Sequence, residues 1–356
     1  MIAATATLEA DGLRQFLALQ ADAVSAVTRR IYLTREAPFE HYGAGGEAAC
    51  REDLAFHLEF LRPVLQFGSQ APMIDYLCWQ ARVLAAKGVS SAHLEVALAE
   101  LAQYFLRRMD QPAGALVCNA LQTAWANFQK VKAAPPPPQV RNELWPEATA
   151  FEAALLAGDQ NEALSIMGKC IDAGESLVEF ERHVIQPSLY SIGEKWQVCE
   201  VTVSQEHMAS AIVQAVMTAG LLRSPPPVSI GKRVLLACIA DNHHAIGLRM
   251  VCDAFQLAGW DVQYLGADVP TDALLDQVAE WKPDLLALSA SFAQHLVTVR
   301  DVITQVRERF GDERPAVIVG GLAINRFAPL ADEVGADAHS ADAAAAVRRA
   351  TLSLAA

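Results

Sequence analysis

From residue 231 onward, short apolar runs alternate with amphipathic segments, and this alternation constrains the fold more than any other feature of the chain. The runs 233–240, 261–265, 284–289, 315–319 and 336–339 read as strands, and 245–258, 271–280, 293–309, 325–333 and 341–354 read as helices. Each helix returns the chain to the same end of the sheet, so such alternation builds a parallel sheet with helices on both faces. A five-stranded, doubly wound, Rossmann-like domain is expected over 231–356.

Ligands of these sheets sit outside the carboxyl ends of the strands. There, Asp241-Asn242-His243-His244-Ala245-Ile246-Gly247 links the first apolar run to the amphipathic segment 248–257. A histidine on this turn can offer a ring nitrogen to a metal; a polar turn with two solvated histidines is the alternative. Ser289 closes the buried run 285–288, where a hydroxyl needs a partner. Gly320-Gly321 follows Val317-Ile318-Val319 and removes side chains where a backbone or a flat ligand must come close. No G-x-G-x-x-G or P-loop is present, so a dinucleotide or NTP site lacks its phosphate cradle. The pattern suggests an elongated ligand, one end at His244 and a tail beside Ser289 and the glycines.

Upstream the chain reads as helix. Apolar residues recur at three- and four-residue spacing over 8–33, 47–67, 71–87, 92–109 and 111–131, with Gly-rich turns between. Residues 1–132 are expected to form an all-helical domain, of a length that suits a globin-like fold and a planar tetrapyrrole. Its candidate residues are His41, His57, Tyr76, Trp79, Arg82 and His93; a core or surface role is the plainer alternative for His57. Prolines 135–138 favour an extended spacer, and 133–146 is read as a linker. Segments 147–157, 160–173, 177–197 and 202–222 then suit a four-helix bundle over 147–222. Trp196 ends its third helix, and Thr202 or Ser204 caps the fourth, which begins with Glu206 and His207. A buried tryptophan and a surface Glu-His pair is the plainer reading of that pattern. Ser224-Pro225-Pro226-Pro227 breaks the chain before the sheet domain.

A hydrophobic content of 53% with 19% charged residues belongs to well-buried folded domains. With a net charge of −13 and no cluster of Lys and Arg, direct nucleic-acid binding is not expected. The seven cysteines are scattered and form no C-x-x-C pair, which points to a reducing compartment. The start of the chain does not read as a signal peptide and no apolar stretch is long enough for a bilayer, so a cytoplasmic protein without a membrane partner is expected.

The C-terminal motifs resemble the cobalamin-binding domains of the methionine-synthase type, whose pattern runs D-x-H-x-x-G, S-x-L and G-G. Residues 248–288 separate Gly247 from Ser289, and 292–319 separate the second motif from Gly320-Gly321, both at the family spacing. His244, three residues before Gly247, matches the cobalt-ligating histidine. Asn242 stands at the family's acidic position, Asp241 is out of register by one, and Ser291 replaces the Leu. The bundle is similar to the cap of the light-sensing cobalamin regulators related to CarH. Trp196, Glu206 and His207 match the cap residues that surround the adenosyl group of adenosylcobalamin. The histidine that follows the cap tryptophan in that family is here Gln197, and the family's DNA-binding N-terminal domain is not read in the chain. A helical domain ahead of cap and cobalamin domains also resembles the photocobilins, which pair cobalamin with biliverdin.

The resemblance implies a photoreceptor rather than an enzyme. Adenosylcobalamin would be contacted by Trp196, Glu206, His207, Asn242, His244, Gly247, Ser289, Gly320 and Gly321, with His244 on the metal. Loss of the adenosyl group in light would shift the cap and alter a homo-oligomer, with a separate effector protein as the other route for output. Biliverdin, with haem as the alternative, would meet His57 and Arg82. A corrinoid shuttle subunit of a methyltransferase has the same bundle-plus-sheet plan; Asn242, which can orient the imidazole but cannot ionise, argues against it. A signalling scaffold that has lost its ligand is the third reading.

Overall fold

The computed structural model describes residues 6–34, 45–133 and 143–353, so His41 lies outside the described residues. The chain divides into two compact units, Met1–Pro137 and Pro138–Ala356.

The first unit is helical, with α1 (Ala10–Thr34), α2 (Gly46–Phe67), α3 (Ala71–Ala86), α4 (Ala92–Arg108) and α5 (Ala113–Val131). The apolar stripes meet in a core that includes Phe16, Leu58, Leu61, Leu77, Phe105 and Phe128, with the Phe16 and Phe105 rings 5.0 Å apart. Gly68 ends α2 in the left-handed region (φ 70°) and its amide caps the carbonyl of Val64 at 3.0 Å.

The second unit opens with the bundle: α6 (Glu147–Ala157), α7 (Gln160–Asp172), α8 (Leu177–Phe180), a π-helical turn (Glu181–Ile185), α9 (Gln186–Gln197) and α10 (Val203–Arg223). Sequence periodicity predicts one continuous helix over 177–197; the π turn interrupts it. Pro187 has no amide to give to the carbonyl of His183, four residues back, and that carbonyl instead accepts the Trp145 amide at 3.3 Å. Thr202 caps α10, with its hydroxyl accepting from the Gln205 amide at 3.2 Å and Gln205 Oε1 accepting from the Thr202 amide at 3.0 Å.

The sheet comprises β1 (Arg233–Ile239), β2 (Asp261–Val269), β3 (Leu285–Ser289), β4 (Ala316–Gly320) and β5 (Ala338–His339), all parallel in the order β2-β1-β3-β4-β5. Its helices are α11 (Ile246–Leu257), α12 (Thr271–Trp281), α13 (His295–Phe310), α14 (Leu322–Arg326), α15 (Ala328–Glu333) and α16 (Ala343–Ser353). The expected single helix at 325–333 is two, broken at Phe327, because Pro329 starts the second helix and cannot continue the first. β2 runs beyond its expected end through irregular pairing with β1. The strand order reverses between β1 and β3, which makes their carboxyl ends the switch point where such sheets hold ligands. Register there sets Cys238 beside Ser289, and Ser289 beside Gly320.

Bundle and sheet share a core, in which Met250 of α11 is buried among bundle residues. Within this seam lie Glu181 of the π turn and Asp253 of α11, 1% and 0% exposed. Arg249 Nε donates to Asp253 Oδ1 at 2.7 Å. Neither Glu181 oxygen nor Asp253 Oδ2 meets a donor among the described residues, so the two carboxyls can bond each other only through a proton. Burial first, and the neighbouring Asp253 charge next, hold Glu181 well above the usual carboxylate range; burial likewise raises Asp253, against the pull of Arg249.

Candidate functional site

The Asp241–Gly247 turn is fixed by backbone contacts. Asp241 takes a positive φ of 65°, and its amide is held by Asp268 Oδ1 at 2.8 Å. Asn242 is fully buried; its Nδ2 donates to the Ser289 carbonyl at 2.9 Å and its Oδ1 accepts the His244 amide at 3.2 Å. Asn242 therefore orients the backbone that carries His244, not the imidazole, which corrects the expectation drawn from its side-chain chemistry. Cys238 Sγ reaches the His244 carbonyl at 3.7 Å, and the Tyr264 hydroxyl reaches that of Ala245 at 3.3 Å. Burial pushes the Cys238 thiol up to about 11, with the neighbouring Ser289 side chain opposing.

His244 itself projects outward with an exposed edge, and no hydrogen bond to either ring nitrogen occurs among the described residues. Crowding by surrounding atoms holds its pKa below the usual imidazole value, with the Glu206 carboxylate opposing and the neighbouring His243 assisting. A neutral ring with free nitrogens is the form that binds a metal.

The three glycines divide into different cases. A methyl group added at Gly247 would enter open space, so nothing in the protein's own packing requires a glycine there. At Gly321, with φ of 99°, it would lie 2.3 Å from the Ala290 carbonyl oxygen, so this glycine serves a close approach of two backbones. Gly320 is an intermediate case, with a 3.4 Å approach to the Ser340 carbonyl.

On the bundle, Trp196 is 38% exposed at the end of α9, which replaces the expectation of a buried tryptophan in the plainer reading of its motif. His207 Nδ1 meets Glu206 Oε2 at 2.5 Å, and the Ser210 hydroxyl holds Glu206 Oε1 at 2.8 Å. Glu206, at the start of α10, acts electrostatically on His244. Sequence reasoning missed Phe292, whose ring stands edge-on to His244 with centroids 5.1 Å apart at 83°. The available signal was an aromatic residue directly after the position where Ser291 replaces the family's Leu.

In the first unit, His57 is 1% exposed and its Nδ1 pairs with the Tyr76 hydroxyl at 2.7 Å. Phe60 stacks on Tyr76 at 4.0 Å, and burial lowers the His57 pKa to about 4. The ring is thus a core histidine here, and a tetrapyrrole reaching it would have to open this packing. Arg82, Trp79 and His93 are half-buried.

Residues 148–219 and 232–348 each match a protein family described as a B12 binding domain. This half of the chain is a cobalamin-binding module. Its bundle forms the helical cap, and its parallel sheet forms the base. The repressor CarH of Myxococcus xanthus is 30% identical over 181 residues, covering 51% of this chain and 58% of its own. CarA of the same organism is 30% identical over 164 residues, 45% of this chain and 52% of its own. The chain thus spans about half the length of these curated relatives. Monomethylamine corrinoid protein 1 of Methanosarcina acetivorans is 27% identical over 186 residues, 51% of this chain and 84% of its own.

One expectation falls with these relatives. CarH and CarA are named HTH-type transcriptional repressors, which conflicts with the exclusion of nucleic acid as a partner. Net charge is summed over the whole chain, whereas a nucleic-acid surface is local, so a value of −13 never carried that exclusion. Among the described residues no helix is long and apolar enough to cross a membrane.

Proposed function

We propose that the protein is a light-responsive sensor that holds adenosylcobalamin between His244 on the base and Trp196, Glu206 and His207 on the cap. The observation that supports this reading is the electrostatic influence of Glu206, at the start of α10, on the His244 imidazole. The residues fit a corrinoid. A neutral, outward imidazole with free nitrogens suits the cobalt. Open space at Gly247 accepts a bulky plane, and Trp196 offers an exposed aromatic face.

When bound, adenosylcobalamin supplies a cobalt–carbon bond that light cleaves. The protein's own residues do the rest. Asn242, Cys238 and Tyr264 fix the turn that presents His244. Trp196 would offer the adenosyl group an exposed aromatic face, and the Glu206–His207 pair would offer it polar contacts. Only a ligand that contacts two cap positions differently can shift the balance between them, and a group packed against Trp196 is such a ligand. Gln197, beside Trp196, carries an amide and no imidazole, so it would not supply a histidine ligand to cobalt.

The test is the absorption spectrum of holoprotein in the dark and after green light, with limited proteolysis of the cap in both states. A light-dependent spectral change with altered cleavage near Trp196 supports the sensor; identical spectra and cleavage reject it. The second reading, a corrinoid shuttle, draws on the 84% coverage of the monomethylamine corrinoid protein. It would be favoured by methyl transfer to and from the bound corrinoid that persists in the dark.

A further inference from the structure

We propose that Phe292 is a positioning residue for His244, fixing the imidazole by ring contact where no hydrogen bond does so. This rests on the reading of His244 as a cobalt ligand. The torsion that turns an imidazole about its Cβ–Cγ bond is broad, and metal-bound histidines are ordinarily locked by a partner on the second ring nitrogen. Among the described residues that lock is missing. Asn242, the side chain best placed to supply it, is engaged by the His244 amide and the Ser289 carbonyl. Against the ring stands Phe292 instead, at 83° and 5.1 Å, the edge-to-face geometry that aromatic pairs favour.

Phe292 is itself anchored. Its amide donates to Nδ1 of His295 at 3.3 Å, and the two rings meet at 5.6 Å and 65°. His295 is 4% exposed at the first turn of α13. A buried histidine, an aromatic ring and the outward imidazole thus form a relay of contacts from a rigid helix to the metal-facing side chain. Phe292 remains 40% exposed, a large apolar side chain left at the mouth of the site.

The arrangement has a chemical consequence. Phenyl carbons neither accept nor release a proton, so Phe292 directs the ring without raising its basicity.

The experiment uses full-length protein loaded with adenosylcobalamin, photolysed and held with cobalt in the divalent state. Electron paramagnetic resonance reads the fraction of cobalt with an axial nitrogen. Cobalamin retained per chain is measured separately. In Phe292→Ala the ratio of ligated to unligated cobalt should fall roughly three- to tenfold while cobalamin is retained, the scale of a lost aromatic pair. Phe292→Tyr should restore it, and Phe292→Leu, which keeps bulk but lacks a ring edge, should remain impaired. A wild-type ratio in Phe292→Ala or in Phe292→Leu overturns the proposal. If wild type and His244→Ala give the same spectrum, the ligand reading itself fails and the proposal falls with it.

Discussion

Asn242 and Ser289, far apart in the chain, meet where the side-chain Nδ2 of the first donates to the carbonyl of the second at 2.9 Å, tying the carboxyl end of β3 to the turn after β1. The amide is suited to this place because it donates and accepts at once. An acid at this position would have to do something different. Asn242→Asp aims a buried carboxylate oxygen at the Ser289 carbonyl, leaving two acceptors facing each other. We expect a loss of about 1–3 kcal/mol in apo stability at neutral pH, partly recovered on acidification as the new carboxyl takes a proton. Thermal unfolding at two pH values measures it.

The glycines give a paired prediction. Gly321→Ala forces a side chain against the Ala290 carbonyl at a positive φ, and should cost about 2 kcal/mol or more before any ligand is added. Gly247→Ala should leave apo stability unchanged or slightly raised, since its methyl group enters open space at the start of α11. It should nonetheless weaken cobalamin binding about tenfold, if a corrin plane needs that space. Denaturation of both apo variants, with cobalamin titration of Gly247→Ala, separates the two roles.

Glu181 and Asp253 make stability depend on pH in a defined direction. Both are raised above their ordinary values, so the native state keeps protons that the unfolded chain releases near 4.5 for Glu181 and 3.8 for Asp253. A state that binds more protons loses ground as pH rises, so native stability falls from the unfolded pKa values up to the raised native ones. Glu181→Gln removes one ionisable member while keeping a hydrogen-bond donor for Asp253. We expect the variant to be more stable than wild type at neutral pH and to have a flatter stability profile, with a melting rise of roughly 2–4 °C for each kcal/mol gained. Equal profiles for the two proteins would contradict the shared proton.

Glu206 raises the pKa of His244 against the larger lowering by burial. Glu206→Gln should therefore move the titration of His244 to still lower pH, keeping the ring neutral over a wider range. Histidine resonances followed by NMR across pH 4 to 8, a range set by roughly the usual imidazole pKa, test the direction. An upward movement would separate Glu206 from the site.

The sheet was legible in the sequence because apolar runs of strand length alternate with helical periodicity, and the spacing of Gly247, Ser289 and Gly320 then put three motifs on one sheet edge. Register confirms that edge at atomic scale, with Cys238, Ser289 and Gly320 side by side. What each residue does there was less legible. Residue type reveals that Asn242 can donate and accept, but not that its partners are two backbone groups. Gly321 and Gly247 look alike in sequence, and only φ and tertiary neighbours distinguish them. His57 presents the same limit: its burial depends on Tyr76 in the following helix. The π turn was hidden because its cause is split between Pro187, which withholds an amide, and Trp145, which supplies one from another segment.

That turn also acts as a spacer in the literal sense. His183 within it stacks on Trp145, 5.2 Å apart and 5° from parallel, so the linker's end is moored there. A π turn accommodates one residue beyond what an α-helix would, and each residue advances a helix by about 100°. Deleting a single residue from Glu181–Ile185 would let the helix run regularly and leave everything downstream near its present phase, because the π turn has already taken up the rotation of the extra residue. Trp196 would then keep its bearing, whereas the same deletion within the regular turns of Gln186–Gln197 would rotate it by roughly a quarter turn. The compass bearing of Trp196 is thus insulated from the extra residue upstream, as slack taken up in one link leaves the far end of a chain where it was.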